Sequence, residues 1–162
     1  MNDVALPFEH PLRVYWEDTD AGGVVFYANY LKFFERARTE WLRQRGFAQE
    51  ALRQQERLMF IVSQTSVRYL SPARLDDWLS ISVEVHEAGR VSMTLFQQAR
   101  CGERLLAEGE IRIGCVNADS FKPSRIPAAM LEGLQLRGSR PADGPTPSPS
   151  AASMLQPAAP TA

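Results

Sequence analysis

Apolar and polar residues alternate from Leu12 to Glu17, with Leu12, Val14 and Trp16 set against Arg13, Tyr15 and Glu17. A period of two predicts a half-buried first strand over 12–17. The period then lengthens. At 100° per residue, Tyr30, Leu31, Phe33, Phe34, Ala37, Trp41 and Leu42 fall on one broad arc, with Lys32, Arg36, Thr39 and Arg43 opposite. A long amphipathic helix is expected over 28–46, with Gly46 as its stop. Arg38 lies inside the apolar arc and requires a partner there, for which Glu35, one turn back, is the expected residue.

A short polar helix is expected over 49–57, followed by extended segments over 58–69, 78–86, 91–100 and 105–117. Pro72, Gly89 and Gly102 separate these segments, and the two glycines mark hairpins. The second segment alternates most cleanly, with Leu79, Ile81, Val83 and Val85 facing away from Ser80, Ser82, Glu84 and His86. In the first, the apolar phase slips between Val62 and Val67, which predicts a bulge or strong bend. A strand, a long helix and a meander of four strands give an α+β fold, an antiparallel sheet with a helix on one face.

A length of 162 residues suits one domain and a tail. Beyond Gly138 the chain turns to Pro, Ala, Ser and Thr without hydrophobic period, so residues 1–137 are read as the domain and 138–162 as a disordered extension. A net charge of −1, with arginines scattered rather than massed, offers no field for nucleic acid. Cys101 and Cys115 have neither disulfide-framework nor metal-ligand spacing and are expected as buried thiols. The first residues lack a basic and apolar leader, and no apolar run approaches the ~20 residues of a membrane span. A cytoplasmic protein without a membrane span is expected.

The densest chemistry lies between the first strand and the long helix, in Glu17-Asp18-Thr19-Asp20-Ala21-Gly22-Gly23 followed by the apolar run Val24-Val25-Phe26-Tyr27. Two glycines permit a tight turn, and the free N–H groups of the next helical turn point outward with the positive end of the helix dipole behind them. A carboxylate beside such donors is equipped to attack an activated carbonyl. Two other readings stay open: caps and turns, which account for acids and glycines before any helix, and a divalent cation on Asp18 and Asp20. The segment lacks the later acidic ligands of a calcium loop, so no metal is expected. The apolar run reads as a pocket wall, Glu17 and Asp18 as turn formers or electrostatic neighbours, and His10 and His86 as surface residues.

The stretch from Tyr15 to Val25, the stretch Tyr30-Leu31-Lys32-Phe33-Phe34-Glu35-Arg36-Ala37-Arg38-Thr39-Glu40-Trp41-Leu42-Arg43, the block from Arg68 to Asp77, and Lys122-Pro123-Ser124-Arg125-Ile126-Pro127 together resemble the signature of hotdog-fold acyl-CoA thioesterases. The similarity covers about residues 8–134. It is closest to the Tol-Pal-associated branch, whose relatives include 4-hydroxybenzoyl-CoA thioesterase. The resemblance implies a five-stranded antiparallel sheet wrapped around one long central helix. It also implies a homodimer or tetramer of dimers with its sites at the subunit interface, and hydrolysis of an acyl-CoA thioester without a cofactor. It assigns the catalytic carboxylate, nucleophile or general base, to Asp20. The second functional position falls at Tyr27, where the Tol-Pal-associated branch usually carries histidine and the hydroxybenzoyl branch tyrosine. A role through the Tyr27 backbone N–H, with Gly23 letting the loop close, accommodates that departure; packing in the wall is the alternative. CoA phosphates need cations, and Arg68, Arg90, Lys122 and Arg125 are the candidates. The rival expectation is a hotdog scaffold that binds acyl carrier protein or a membrane-biogenesis partner with little hydrolysis.

Overall fold

A computed structural model describes residues 7–135; the expected disordered segment 138–162 lies outside them. Strands β1 (Phe8–Arg13), β2 (Leu58–Tyr69), β3 (Trp78–Ala88), β4 (Ser92–Cys101) and β5 (Arg104–Asn117) form one sheet, and helices α1 (Asn29–Gln44), α2 (Gln49–Glu56) and α3 (Ala128–Gln135) join it. The strand order is β1-β3-β4-β5-β2 and every pair is antiparallel. This is the expected α+β arrangement. The apolar arc of α1 buries Tyr30, Phe33, Phe34, Ala37, Trp41 and Leu42 against the inward residues of the sheet, among them Leu79, Ile81, Leu95 and Ile111. Trp41 and Phe33 are therefore core residues.

The phase slip in β2 is a bulge between Val62 and Gln64, which leaves Ser63 without a partner opposite it. A second bulge, in β3 between Val85 and Glu87, displaces His86 in the same way. Its ring stacks on Phe96 with centroids 4.8 Å apart, and Nδ1 lies 3.5 Å from Glu110 on the face of the sheet away from α1.

Two expectations are corrected. The first strand covers Phe8–Arg13 instead of 12–17, and the chain then folds into a 3₁₀ turn over Trp16–Asp18. The cause is local: the Asp18 carboxylate accepts the Tyr15 N–H at 2.8 Å and draws the backbone out of the ladder. Trp16, inward by alternation, is 80% exposed. The other correction concerns Arg38. Its buried guanidinium donates from Nη1 to Gln97 Oε1 at 2.9 Å, while Glu35 accepts from the Thr39 hydroxyl at 2.7 Å. Gln97, fully buried on β4, completes the link by donating from Nε2 to the Phe34 carbonyl at 3.1 Å. Burial pushes the Arg38 guanidinium below its usual range, and the charge of Glu35 opposes that shift.

Candidate active site

Residues 18–26 form a narrow hairpin. The Phe26 N–H donates to the Asp18 carbonyl and the Asp20 N–H to the Val24 carbonyl, both at 2.9 Å. The Gly23 N–H donates to the Asp20 carbonyl at 3.0 Å and closes the turn. Gly23 has φ of +75°, the left-handed conformation in which a hairpin loop of this length favours glycine. The Asp20 carboxylate joins the turn itself, with Oδ1 accepting the Gly22 N–H at 2.8 Å. Asp20 is thus a turn former as well as an exposed carboxylate. The ribbon leans on the loop before β3, where the Val25 N–H donates to the Ala73 carbonyl at 2.9 Å and Val24 bridges Arg74.

From this hairpin the chain passes through Tyr27 and Ala28 into α1, whose start has no side-chain cap. The Asn29 and Leu31 N–H groups donate to the Phe26 and Ala28 carbonyls at 2.8 and 3.1 Å, so the donors this helix start still offers include those of Tyr27 and Ala28, at the positive end of the helix dipole. Among the described residues the Tyr27 N–H meets no backbone acceptor. The Tyr27 carbonyl accepts the Tyr69 hydroxyl at 2.9 Å, tying the end of β2 to the start of the helix. The Tyr27 ring stands edge-on to Phe26 and Tyr69, at 4.8 and 6.1 Å, and is largely exposed; Tyr30 meets Tyr69 at 5.7 Å. Burial raises the Tyr69 phenol, and the neighbouring Tyr27 adds to the shift. Tyr69 therefore keeps its proton and remains a donor at neutral pH.

Asp18 differs sharply from Asp20. It is 3% exposed, and besides the Tyr15 N–H it accepts the Asn29 side-chain amide at 2.6 Å, Nδ2 to Oδ1. With both oxygens turned inward onto protein donors, Asp18 is not a neighbour offering its charge to the mouth of the site. No group of three or more His, Cys, Asp or Glu able to hold a metal occurs among the described residues.

Asp20, Gly23 and Tyr27 come together at one end of the sheet. Arg68 reaches the same end, but alternation along β2 turns it to the face opposite Tyr69, where it pairs with Glu108. Hydrogen bonds from Gln98 and then Arg68 hold the Glu108 carboxyl below its usual range. Arg90, Lys122 and Arg125 gather at the other end. The Arg90 carbonyl accepts the Ile126 N–H at 2.8 Å, and the Lys122 carbonyl accepts the Asn117 N–H at 2.9 Å beside the start of β2. With Leu58 opposite Asn117 and Tyr69 opposite Ala107, the two ends are on the order of 30 Å apart at ~3.3 Å per residue. Asn29 and Tyr69 went unassigned in the sequence. Their partners lie 11 and 42 positions away, and no period links them.

A hollow of about 350 Å³ opens elsewhere, on the outer face of the sheet, lined by Gln64, Ser66, His86, Glu87, Thr94, Glu110 and Arg112. Its charges are mixed and it does not include the hairpin, so depth alone does not locate the chemistry. Among the described residues no helix is long and apolar enough to cross a membrane. Cys115 is buried and Cys101 half-buried, and burial raises the Cys115 thiol.

Residues 14–134 match the thioesterase-like superfamily. The chain is similar to the acyl-CoA thioester hydrolase YbgC of Escherichia coli O157:H7, with 45% identity over 125 residues that span 76% of this chain and 92% of that protein. Similarity to the acyl-CoA thioesterase YbgC of Haemophilus influenzae is 41% over 120 residues, 74% of this chain and 88% of the relative. Among solved structures, a probable thioesterase of Bartonella henselae superposes with a TM-score of 0.72 at 34% identity, over 75% of this chain and 100% of that one. The fold is the hotdog arrangement.

Proposed function

The chain belongs to the thioesterase-like superfamily, and from that membership we propose that it hydrolyses acyl-CoA thioesters to the free acid and CoA, with Asp20 as the reacting carboxylate. The observation that carries the site assignment is the pairing of an exposed carboxylate, one oxygen held by Gly22, with the uncapped start of α1 to which its hairpin leads. As general base, Asp20 takes a proton from water while the water oxygen adds to the thioester carbon. The carbonyl pair moves onto oxygen, where the Tyr27 and Ala28 N–H groups receive it, and collapse expels CoA thiolate. As nucleophile, a carboxylate oxygen adds instead, the thiolate leaves, and water cleaves the mixed anhydride. A thiolate departs readily, so neither route needs a strong acid at the leaving group.

A second copy completes the site in this reading. β2 is an edge strand with β5 as its one neighbour in the sheet, and Ile61, Val62 and Tyr69 along it are exposed, as is Leu70 just past its end. A long edge of this kind is a template for pairing. Antiparallel pairing of two β2 strands about their midpoint brings the Leu58 end of each beside the Tyr69 end of the other. The cations Arg90, Lys122 and Arg125 of one copy then flank the Asp20 hairpin of its mate, where the CoA phosphates would lie. Acyl-CoA is a soluble thioester of the cell interior, and the reading accordingly puts the enzyme in the cytoplasm.

The test is Asp20→Asn, assayed by free-thiol release from a panel of acyl-CoA and acyl-carrier-protein thioesters. Turnover is expected to fall at least ~100-fold with the thermal midpoint unchanged. Retention of more than about a tenth of wild-type turnover, a barrier change under ~1.4 kcal/mol, overturns the role of Asp20. A wild-type protein that binds carrier protein and cleaves no member of the panel supports the scaffold instead.

A further inference from the structure

The Asp18–Asn29 bridge has no part in the chemistry above, yet it is the side-chain hydrogen bond that joins the Asp20 hairpin to the first turn of α1. Both groups are buried: Asp18 is 3% exposed and Asn29, the first residue of α1, 6%. Thr19 between the two aspartates is extended, with φ of −99° and ψ of 154°. Residues i and i+2 of an extended chain project to the same side, so the two carboxylates leave the ribbon together, about 6–7 Å apart along it. One turns inward onto the helix and the other stands at the open tip. Three segments converge on Asp18. Its carboxylate takes the Tyr15 N–H from the 3₁₀ turn at 2.8 Å and the Asn29 amide from α1 at 2.6 Å, and its carbonyl takes the Phe26 N–H from the return limb of the hairpin at 2.9 Å.

Resting on the reading of Asp20 as the reacting carboxylate, we propose that Asp18 and Asn29 are positioning residues that set the distance from the Asp20 carboxylate to the amide donors at the start of α1. The general reason is geometric. Attack and oxyanion stabilisation require the carboxylate and the N–H groups to address one carbonyl at the same moment, and errors on the order of 1 Å between such groups cost about 100-fold. Asp20 sits at a hairpin tip followed by Ala21, Gly22 and Gly23, small turn residues that cannot set that distance alone. The bridge fixes it two residues before the reacting group.

The decisive variants are Asn29→Asp alone and the exchange Asp18→Asn with Asn29→Asp. In the single variant two carboxylates face each other across the former 2.6 Å bond and the clamp opens. In the exchange, the asparagine at position 18 still accepts the Tyr15 N–H through its side-chain oxygen and donates its amide to the carboxylate at position 29, so the bridge reforms with its direction reversed. Full-length proteins are compared by free-thiol release from a short-chain acyl-CoA, at a temperature where circular dichroism shows each to be folded. Asn29→Asp is expected to lower kcat at least tenfold with KM within twofold, because the remote CoA contacts are untouched, and the exchange to regain at least half of wild-type kcat. An Asn29→Asp protein with kcat within twofold of wild type overturns the proposal. So does a folded exchange variant whose kcat stays at the level of the single one. Asp20→Asn run in parallel separates the two readings. If it is inactive while Asn29→Asp is unaffected, the bridge alone is overturned; if it is fully active, the role of Asp20 falls and the positioning role with it.

Discussion

Gly22→Ala probes the Asp20 carboxylate from beside it without changing a charged group. A Cβ built on Gly22 lies 3.1 Å from Asp20 Oδ1, inside the 3.4 Å at which ordinary contact begins, so the oxygen must yield by about 0.3 Å. Gly22 is not in the left-handed region, so alanine fits its backbone, and the ~0.4–1 kcal/mol gained through the unfolded chain offsets the strain at the carboxylate, leaving stability within about 1 kcal/mol of wild type. The carboxylate has two ways to respond. It can stay and strain its χ angle at ~0.5–1.5 kcal/mol, or swing away and lose the Gly22 N–H bond at a similar net cost. Either displacement moves the reacting group, and ~0.5–1.5 kcal/mol in the barrier is roughly a two- to tenfold loss of kcat. Gly23→Ala is the control. Its φ of +75° strains any Cβ, by ~1–2 kcal/mol, yet that Cβ meets nothing within 4 Å. Thermal midpoints at fixed protein concentration, with initial rates at saturating acyl-CoA, separate the two: activity falls without stability in one, and stability falls first in the other. A Gly22→Ala enzyme with wild-type kcat would refute the reasoning, since the turn would then not hold the carboxylate in its working position.

Gln97→Leu leaves the buried Arg38 guanidinium without its acceptor and should cost ~2–4 kcal/mol in urea unfolding, whereas Arg38→Met combined with Gln97→Leu should return to within ~1 kcal/mol of wild type. Equal losses in the single and double variants would show that the pair is not coupled. Lys122→Glu should raise KM for acyl-CoA several-fold with kcat near wild type, and leave KM unchanged for a pantetheine thioester that lacks the nucleotide. Identical KM values for both proteins on both substrates would remove Lys122 from the phosphate site.

Where burial follows a single period, the sequence states the fold plainly. α1 buries the arc that its 3.6-residue repeat describes, except that Leu31 at its margin is exposed, and β3 to β5 keep their alternation through most of their length. The slip in β2 was legible because a bulge shifts every later side chain to the other face. Residues 14–16 misled because Trp16 continues the apolar alternation by chance, while the conformation there is set by a hydrogen bond from the backbone to a side chain three residues on. α3 has two buried apolar side chains, Met130 and Leu134, too few for a period to stand out. The site divides in the same way. Acids, glycines and the helix start mark the hairpin locally, but what ties it down is non-local. Tyr69 reaches Tyr27 across 42 positions and Arg38 reaches Gln97 across 59, and composition holds no trace of either pairing.

The separation of the hairpin from Arg90, Lys122 and Arg125 is best understood through the edge strand. Within one chain the cations sit at the far end of a sheet on the order of 30 Å long, too distant to steady a nucleotide whose thioester lies at Asp20. An antiparallel sheet offers a direct remedy, because neighbouring ends are opposite in sense and the last strand can pair with a copy of itself. The midpoint of β2 falls at the Ser63 bulge, where added twist lets two sheets continue into one without flattening. Pairing there would cover the exposed Ile61 and Val62 and close an edge that is otherwise prone to association with the wrong partner. The same pairing would bring Tyr69, which already holds the Tyr27 carbonyl, to the junction between the two copies. In a dimer so paired, loss of the partner would remove the cations and loosen the start of α1 together, and assembly and catalysis would depend on one strand.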